Sequence, residues 1–306
     1  MYDVIIIGAG PAGLTAGIYC SRARLNTLFI DKMGYGGAMA KTWSIENYPG
    51  FKEVSGFDLA TRMHEQAKEL GCSSVYETVK EISNGENGIK SVVCESGKVY
   101  ECAALIISSG TSVRKLGVKG EEEYSGKGVS YCGTCDGAFF KDKHIITVGG
   151  GDTAVDEAYF LTRYASKVTM IHRDVKFSAE KILQEKVLSE SKIEILWKTE
   201  IKEIYGNEKG VTGAKLYNKE TGQIYDFGCQ GIFPFVGSIP STSFAKDVAL
   251  LNDWGYVKTD GNMKAGEGVF SCGDCRENSF KQIIVACGEG AVAAHHAEQY
   301  LRNIKK

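Results

Sequence analysis

The sequence predicts an α/β fold of two similar three-layer domains, the second inserted into the first. Three observations predict it. The chain opens on a strand, a glycine turn, a helix and a second strand; the same pattern recurs much later; and 306 residues suit two domains of ordinary size.

Tyr2 to Ile7 is a continuous apolar run rich in β-branched residues, as expected of a parallel strand buried on both faces. GAGPAG follows from Gly8 to Gly13, then a helical pattern carrying Leu14, Ile18 and Tyr19. Thr27 to Ile30 reads as the second strand and ends at Asp31.

A shift of 141 residues repeats the arrangement, with His144–Val148 as strand, GGGDTA at Gly149–Ala154, a helix over Val155–Tyr164, and Lys167–Ile171 as second strand. Gly8 falls on Gly149, Gly10 on Gly151, Gly13 on Ala154 and Asp31 on His172. One GxGxxG is a weak signal, but two copies in one register, each between strand and helix, point to two Rossmann-like dinucleotide sites. The first glycine allows the tight turn, the second lets the backbone reach a pyrophosphate, and the third position must be small for helix to meet strand. Phosphate then sits at the helix N-terminus. The second turn thereby nominates Gly149, Gly151, Asp152, Thr153 and Ala154.

The ends of the two copies differ chemically. Asp31 accepts hydrogen bonds from a ribose with free hydroxyls, which suits FAD. His172 and Arg173 are cations at the matching place and suit a ribose 2′-phosphate, as in NADPH. Flavin first and nicotinamide second is the resulting assignment.

Between the copies, Val75–Glu101 reads as short strands broken at Asn84-Gly85, Asn87-Gly88 and Ser96-Gly97, and Ala104–Ile107 as a buried strand ending at SSGTS. Crossings between domains fall near Thr111–Lys115 and Ile239–Ser243. That places residues 1–112 and 243–306 in an FAD-binding domain and residues 113–242 in a domain carrying the nicotinamide and a redox disulfide. The final segment holds a strand, a Gly273-Asp274 turn and a helix from about Lys281.

Composition narrows the function. Thirty-six basic residues against 38 acidic ones give a net charge of −2, which excludes a general electrostatic grip on nucleic acid or an anionic membrane. The uncharged run from Val4 to Ser21 is too interrupted by glycine for a signal peptide, and no apolar span reaches membrane length. A cytoplasmic protein is expected, with ten cysteines too sparse for a disulfide scaffold.

Cys132 and Cys135 form a CxxC within SYCGTCDGAFF, followed at once by Asp136. This spacing closes a small disulfide ring, lowers a thiol pKa at a helix start, and places a carboxylate where it can move the proton of each exchange step. Half of a zinc site, completed by Cys272 and Cys275, is the other reading. Cys272 and Cys275 themselves read as small residues beside a cofactor or as a second redox pair. His295–His296 and Glu121–Glu123 read as solvated charge.

GAGPAG, ENYPG at Glu46–Gly50, CGTCDG, GGGDTA and a terminal GD turn followed by Lys281-Gln282 occur in one order along the whole chain. In this the chain resembles the low-molecular-weight bacterial thioredoxin reductases. The resemblance implies a homodimer that passes electrons from NADPH through FAD to Cys132–Cys135 and on to thioredoxin. It implies Cys135 against the flavin, Cys132 as the attacking sulfur and Asp136 as general acid. It assigns Gly8, Gly10, Ala12, Gly13, Asp31, Gly36, Gly37, Asn47, Gly273, Asp274, Lys281, Gln282 and Ile283 to FAD. It also implies a domain rotation that lets flavin meet nicotinamide and dithiol in turn.

The departures gather at the electron donor. The family pattern HRRxxxR reads HRDVKFS here, His172–Ser178, so Asp174 and Ser178 replace two arginines. Each lost charge-assisted bond weakens 2′-phosphate binding by roughly 1.5–3 kcal/mol. NADPH therefore stands with NADH close behind, and ferredoxin behind both because the second glycine turn is intact. Ala38 and Lys281 also depart, from Gln and Arg. The competing functions are a peroxide-system reductase, a dithiol oxidase using oxygen, and a flavin-binding redox sensor without turnover.

Overall fold

A computed structural model describes residues 1–277 and 280–304; the last two residues of the expected closing segment lie outside it. The chain forms two compact units, Met1–Ser112 with Ile239–Lys306, and Val113–Ser238.

The first unit begins with β1 (Tyr2–Ile7), α1 (Pro11–Arg22), β2 (Thr27–Asp31), α2 (Gly56–Glu69) and β3 (Ser73–Tyr76). A hairpin of β4 (Val79–Asn84) and β5 (Lys90–Cys94) leads into β6 (Val99–Ile107), and β7 (Thr111–Val113) leaves the unit. The second unit runs α3 (Gly133–Asp136), β8 (His144–Val148), α4 (Asp152–Leu161), β9 (Lys167–Ile171), α5 (Lys181–Ser189) and β10 (Ile193–Leu196). Then come β11 (Thr199–Asn207), β12 (Gly210–Asn218), β13 (Ile224–Gly228) and β14 (Gly231–Pro234). The return strand β15 (Ser238–Pro240) pairs with β7. The first unit closes with β16 (Lys264–Gly266), β17 (Val269–Ser271) and α6 (Ile283–Ile304).

In the first unit the strand order β3–β2–β1–β6–β17 is parallel throughout, with β16 antiparallel at the edge. In the second unit β10–β9–β8–β14 is parallel, and β11–β12–β13 form a separate antiparallel sheet. Both units are Rossmann-like. The order reverses direction at β1 and at β8, and in open parallel sheets ligands bind at the carboxyl ends of the strands where that happens. Gly8 and Gly149 sit at those two ends.

The repeat seen in the sequence is repeated in the hydrogen bonds. Ile7 pairs with Ile30 as Val148 pairs with Ile171. The Gly8 amide donates to the Ile30 carbonyl at 2.9 Å, and the Gly149 amide to the Ile171 carbonyl at 3.0 Å.

The unbroken apolar run of β1 follows from the two layers that cover it. Val4 and Ile6 join a core with Leu14 and Ala16 of α1, Leu59 and Met63 of α2, and Ala293, Ala297 and Leu301 of α6. Ile5 and Ile7 face the other way, into a core with Ile82 and Val92 of the hairpin and Val248 and Val257. Each strand residue therefore leaves water whichever way it points, at roughly 25 cal/mol per Å² of apolar surface.

Glu121 departs from expectation. It is 2% exposed, and its carboxylate accepts the amides of Leu116 and Gly117 at 2.8 and 2.7 Å and the Tyr131 hydroxyl at 2.8 Å. Three donors satisfy a carboxylate that would otherwise be too costly to bury. The expectation of a solvated charge cluster fails at this residue because its partners are local turns that a run of three glutamates does not reveal.

Candidate active site

In the first unit the turn after β1 is set by close approach. Gly8 has φ +99°, and a side chain there would meet the Ser108 carbonyl at 2.4 Å. A side chain on Gly13 would lie 2.0 Å from the Gly8 carbonyl, so helix and strand meet only through glycine. Gly10 differs. It caps α1 with extended backbone and no side-chain hydrogen bond, and nothing lies within 4 Å of where its Cβ would be. Pro11 has no amide to satisfy at the first helical position. The helix N-terminus is thus uncapped and opens onto free space, the arrangement a pyrophosphate requires.

Asp31 binds back to this turn. Its Oδ2 accepts the Ala9 amide and its Oδ1 the Met33 amide, both at 2.8 Å. The Gly36 amide donates to the Ala9 carbonyl at 2.7 Å, and Gly37 lies over Gly10. Beside Asp31 a cleft is lined by Ala9, Gly34, Tyr35, His64 and Tyr76. Tyr35 and His64 stack with ring centroids 4.1 Å apart, and His64 Nδ1 is buried without a partner. Burial holds the His64 pKa down, so it stays neutral there. The space, the uncapped helix and the orphaned nitrogen fit an adenine dinucleotide such as FAD.

The closing segment joins the same turn through Ala12. A side chain on Gly273 would meet Ala12 Cβ at 2.9 Å, and one on Gly290 would meet the Ala12 carbonyl at 2.2 Å. The Gly273 amide donates to Glu289 Oε2 at 2.8 Å, and Glu289 Oε1 holds Arg276. Burial raises the Asp274 pKa, opposed by Lys281. Lys281 donates to the Tyr256 hydroxyl at 2.8 Å, and Asn47 donates to Gln282 Oε1 at 3.0 Å just before Ile283 opens α6. Ser108, Glu289 and the Tyr35–His64 stack were not singled out from sequence. Each acts through a partner distant along the chain, which no local spacing announces.

In the second unit the equivalent turn is built alike. A side chain on Gly149 would meet the Phe235 carbonyl at 2.3 Å and Ala154 Cβ at 2.8 Å. Gly151 caps α4 without a side-chain bond, Thr153 is exposed, and Asp152 Oδ1 accepts the Glu180 amide at 2.8 Å.

The two predicted cations part company. His172 is buried. Its ring fills the space a Gly150 side chain would take, and its Nε2 lies 3.0 Å from the Lys176 carbonyl. Arg173 is exposed and pairs through Nε with Asp174 Oδ2 at 3.5 Å. Ser178 Oγ donates to the Gly150 carbonyl at 3.2 Å.

The same unit carries the cysteine pair. Cys132 and Cys135 are joined as a disulfide with Cα atoms 5.3 Å apart. Cys132 caps α3, and its Sγ accepts the Cys135 amide at 3.2 Å. Ser130 Oγ donates to Asp136 Oδ2 at 2.6 Å. Glu157 of α4 lies beneath Gly133, between the cysteines, another residue sequence reading passed over.

Cys272 and Cys275 are fully buried free thiols, their pKa values raised chiefly by burial. Such thiols are inert, in keeping with small residues rather than a second redox pair. Among the described residues no helix is long and apolar enough to cross a membrane.

Known proteins carry the same organisation. The pyridine nucleotide-disulphide oxidoreductase family model matches residues 2–290. The thioredoxin reductase of Listeria monocytogenes is 45% identical over 307 residues, covering 100% of this chain and 96% of its own. That of Bacillus subtilis is 43% identical with the same coverage. The crystal structure of Lactococcus lactis thioredoxin reductase superposes with a TM-score of 0.96 at 38% identity, covering 99% of this chain and 100% of its own. With two glycine turns at the switch points of two parallel sheets and a disulfide beside the second, the chain belongs to the pyridine nucleotide-disulphide oxidoreductase family.

Proposed function

We propose that this chain is a thioredoxin-disulfide reductase that carries an electron pair from a reduced pyridine nucleotide through FAD to Cys132–Cys135 and on to thioredoxin. The observation that carries the reading is the disulfide itself, formed in the unit that also holds the second dinucleotide turn. In this reading residues 1–112 and 243–306 bind FAD, and residues 113–242 bind the nicotinamide cofactor and hold the disulfide. Bound FAD supplies the two-electron step between pyridine nucleotide and disulfide.

The chain's own residues then act in order. Reduction breaks the S–S bond and leaves Cys132 and Cys135 as a dithiol. The Cys135 amide, already directed at Cys132 Sγ, stabilises negative charge on that sulfur. The Cys132 thiolate attacks one sulfur of the partner's disulfide and displaces the other. Cys135 then attacks Cys132 Sγ, re-forms the internal disulfide and releases the partner as a dithiol. Asp136, held by Ser130, gives the departing sulfur its proton.

The donor reading is NADPH, on the exposed guanidinium of Arg173. NADH is favoured by one observation: Asp174 shares that guanidinium and stands where the family pattern has an arginine. The resemblance in the motifs supports a homodimer. Eight of the ten cysteines are free thiols, which supports a reducing compartment such as the cytoplasm.

Anaerobic mixing of the FAD-loaded protein with NADPH or NADH tests the reading. Flavin absorbance is expected to bleach and, on addition of thioredoxin, to recover. In Cys135→Ser the bleaching should remain while delivery to thioredoxin stops. Delivery at the wild-type rate in that variant refutes the thiol route, and no bleaching by either nucleotide refutes the donor class.

A further inference from the structure

The middle of the cysteine motif is occupied from below. Gly133 is buried, and a side chain on it would lie 2.0 Å from Glu157 Oε2 and 3.3 Å from both Glu157 Cδ and Leu161 Cγ. The carboxyl group therefore stands where the first residue between the cysteines would carry its own side chain. Leu161, four residues on along α4, shows that an aliphatic group suits this interface. A carboxyl here calls for a reason.

Its hydrogen bonding sharpens the question. Glu157 Oε2 is sealed from solvent with only the Gly133 amide turned toward the carboxyl, and Thr134 Oγ1 on the next residue of the motif is buried without a partner. One backbone amide is scant compensation for a buried carboxylate. An ionised carboxylate left in this state is costly, so the neutral form is the one the site tolerates.

We propose that Glu157 is a positioning residue of the redox pair, a buried carboxyl whose protonation is coupled to thiolate formation at Cys132–Cys135. The proposal rests on the assignment of that pair as the redox centre. Adjacent Cα atoms are about 3.8 Å apart, so a carboxyl against Gly133 lies within about 7 Å of the Cys132 Cα, with Cys135 two residues further along the same turn. At that range a buried carboxylate beneath a partly exposed thiolate still opposes its charge, because only the cysteine side of the pair is open to water. Thiolate and carboxylate then ionise at each other's expense.

The elements packed against α4 carry charges of both signs, and among the charged side chains only Asp156 acts on Glu157. Asp156 adjoins Glu157 on α4, and α3 contributes Asp136, tied to Ser130. Helix α5 carries Lys181, Glu185 and Lys186, β8 carries His144 bonded to Thr169, and β9 carries Lys167 paired with Glu194. Burial first, then Asp156, push the Glu157 pKa up to about 7, with the Gly133 amide acting the other way.

The balance of the step follows. The S–S bond takes two electrons from reduced pyridine nucleotide by way of the flavin. One sulfur takes a proton and the other remains thiolate. Above neutral pH Glu157 takes a second proton as the thiolate appears, and returns it when the disulfide re-forms.

The test is alkylation of the phosphine-reduced, FAD-loaded protein by limiting iodoacetamide, mapped to Cys132 and Cys135, in wild type and Glu157→Gln. Below about pH 6 both proteins carry a neutral side chain and should react at equal rates. Above about pH 8 the variant should react about threefold faster, because a lower thiol pKa raises the thiolate fraction more than it lowers nucleophilicity. A rate ratio that does not change with pH overturns the proposal and leaves Glu157 structural.

Should the variant fail to fold, wild type labelled with carbon-13 at glutamate side chains answers alone. One carboxyl should titrate near neutrality and move to higher pH when the disulfide is reduced; a midpoint indifferent to reduction overturns the coupling. Failure of the redox assignment reads differently. Reduced pyridine nucleotide would then leave both sulfurs unalkylated in both proteins, while the phosphine-reduced profiles still report on Glu157.

Discussion

Ser130 Oγ donates to Asp136 Oδ2 at 2.6 Å and receives the Cys132 amide at 3.2 Å, so one hydroxyl ties the carboxylate to the backbone of the redox motif. Asp136→Asn should keep the fold and flavin reduction by nicotinamide but lower turnover with thioredoxin about 100-fold, the loss of a positioned proton donor. Ser130→Ala should cost several-fold, since it releases a carboxylate that remains present. Stopped-flow flavin reduction beside steady-state thioredoxin reduction separates the two steps. Equal loss in both variants would reject this division of roles.

Gly10 and Gly13 lie three residues apart yet should fail in different ways. Gly10 has free space around its Cβ position, so Gly10→Val should fold and lose FAD, because its side chain enters the phosphate site. Gly13→Val would drive a side chain into the Gly8 carbonyl, 2.0 Å away, and should lose several kcal/mol of stability, about 3 or more. Circular dichroism and flavin content of the purified proteins distinguish a colourless folded chain from an unfolded one.

In the proposed reading the pair Arg173–Asp174 sets the donor preference. Asp174→Asn removes an anion from the guanidinium and from a place where the family pattern has an arginine. The efficiency of NADPH should rise about tenfold while that of NADH changes little. Flavin reduction rates with each nucleotide check it, and an equal change for both would show that Asp174 does not read the phosphate.

Glu157 also links stability to pH. Its pKa is pushed up to about 7 in the fold from an ordinary 4.5, so the native chain holds an extra proton between those values. The stability this contributes is full below about pH 4.5 and is lost as pH rises through about 7, a change of about 3 kcal/mol. Relative to Glu157→Gln, the wild type should therefore weaken between about pH 5 and pH 8. Denaturant titrations of the oxidised proteins at both pH values measure it, and a constant difference would deny the burial of a neutral carboxyl.

Much of this protein is local enough to be legible. Gly13 against the Gly8 carbonyl and Ala154 against Gly149 are required by approach within a few residues, and the strand–turn–helix pattern carries its own register, down to the matching Gly8–Ile30 and Gly149–Ile171 hydrogen bonds. The cysteine pair is legible too, because a spacing of three residues lets the N-cap Cys132 and Cys135 close a disulfide across α3.

What the sequence by itself determined is the repeated nucleotide scaffold and the chemistry of the pair at Cys132 and Cys135, since both are announced by residue types at short fixed spacings. Only the tertiary structure decided that His172 turns inward over Gly150 while Arg173 faces solvent, that Glu121 is buried among amides, and that Glu157 lies under Gly133. For His172 and Glu157 the deciding partner belongs to another turn or helix, and for Glu121 the donors are turn amides and the Tyr131 hydroxyl. Whether a charged side chain is solvated, paired or sealed is then a question of packing, which pattern and composition along the chain do not encode.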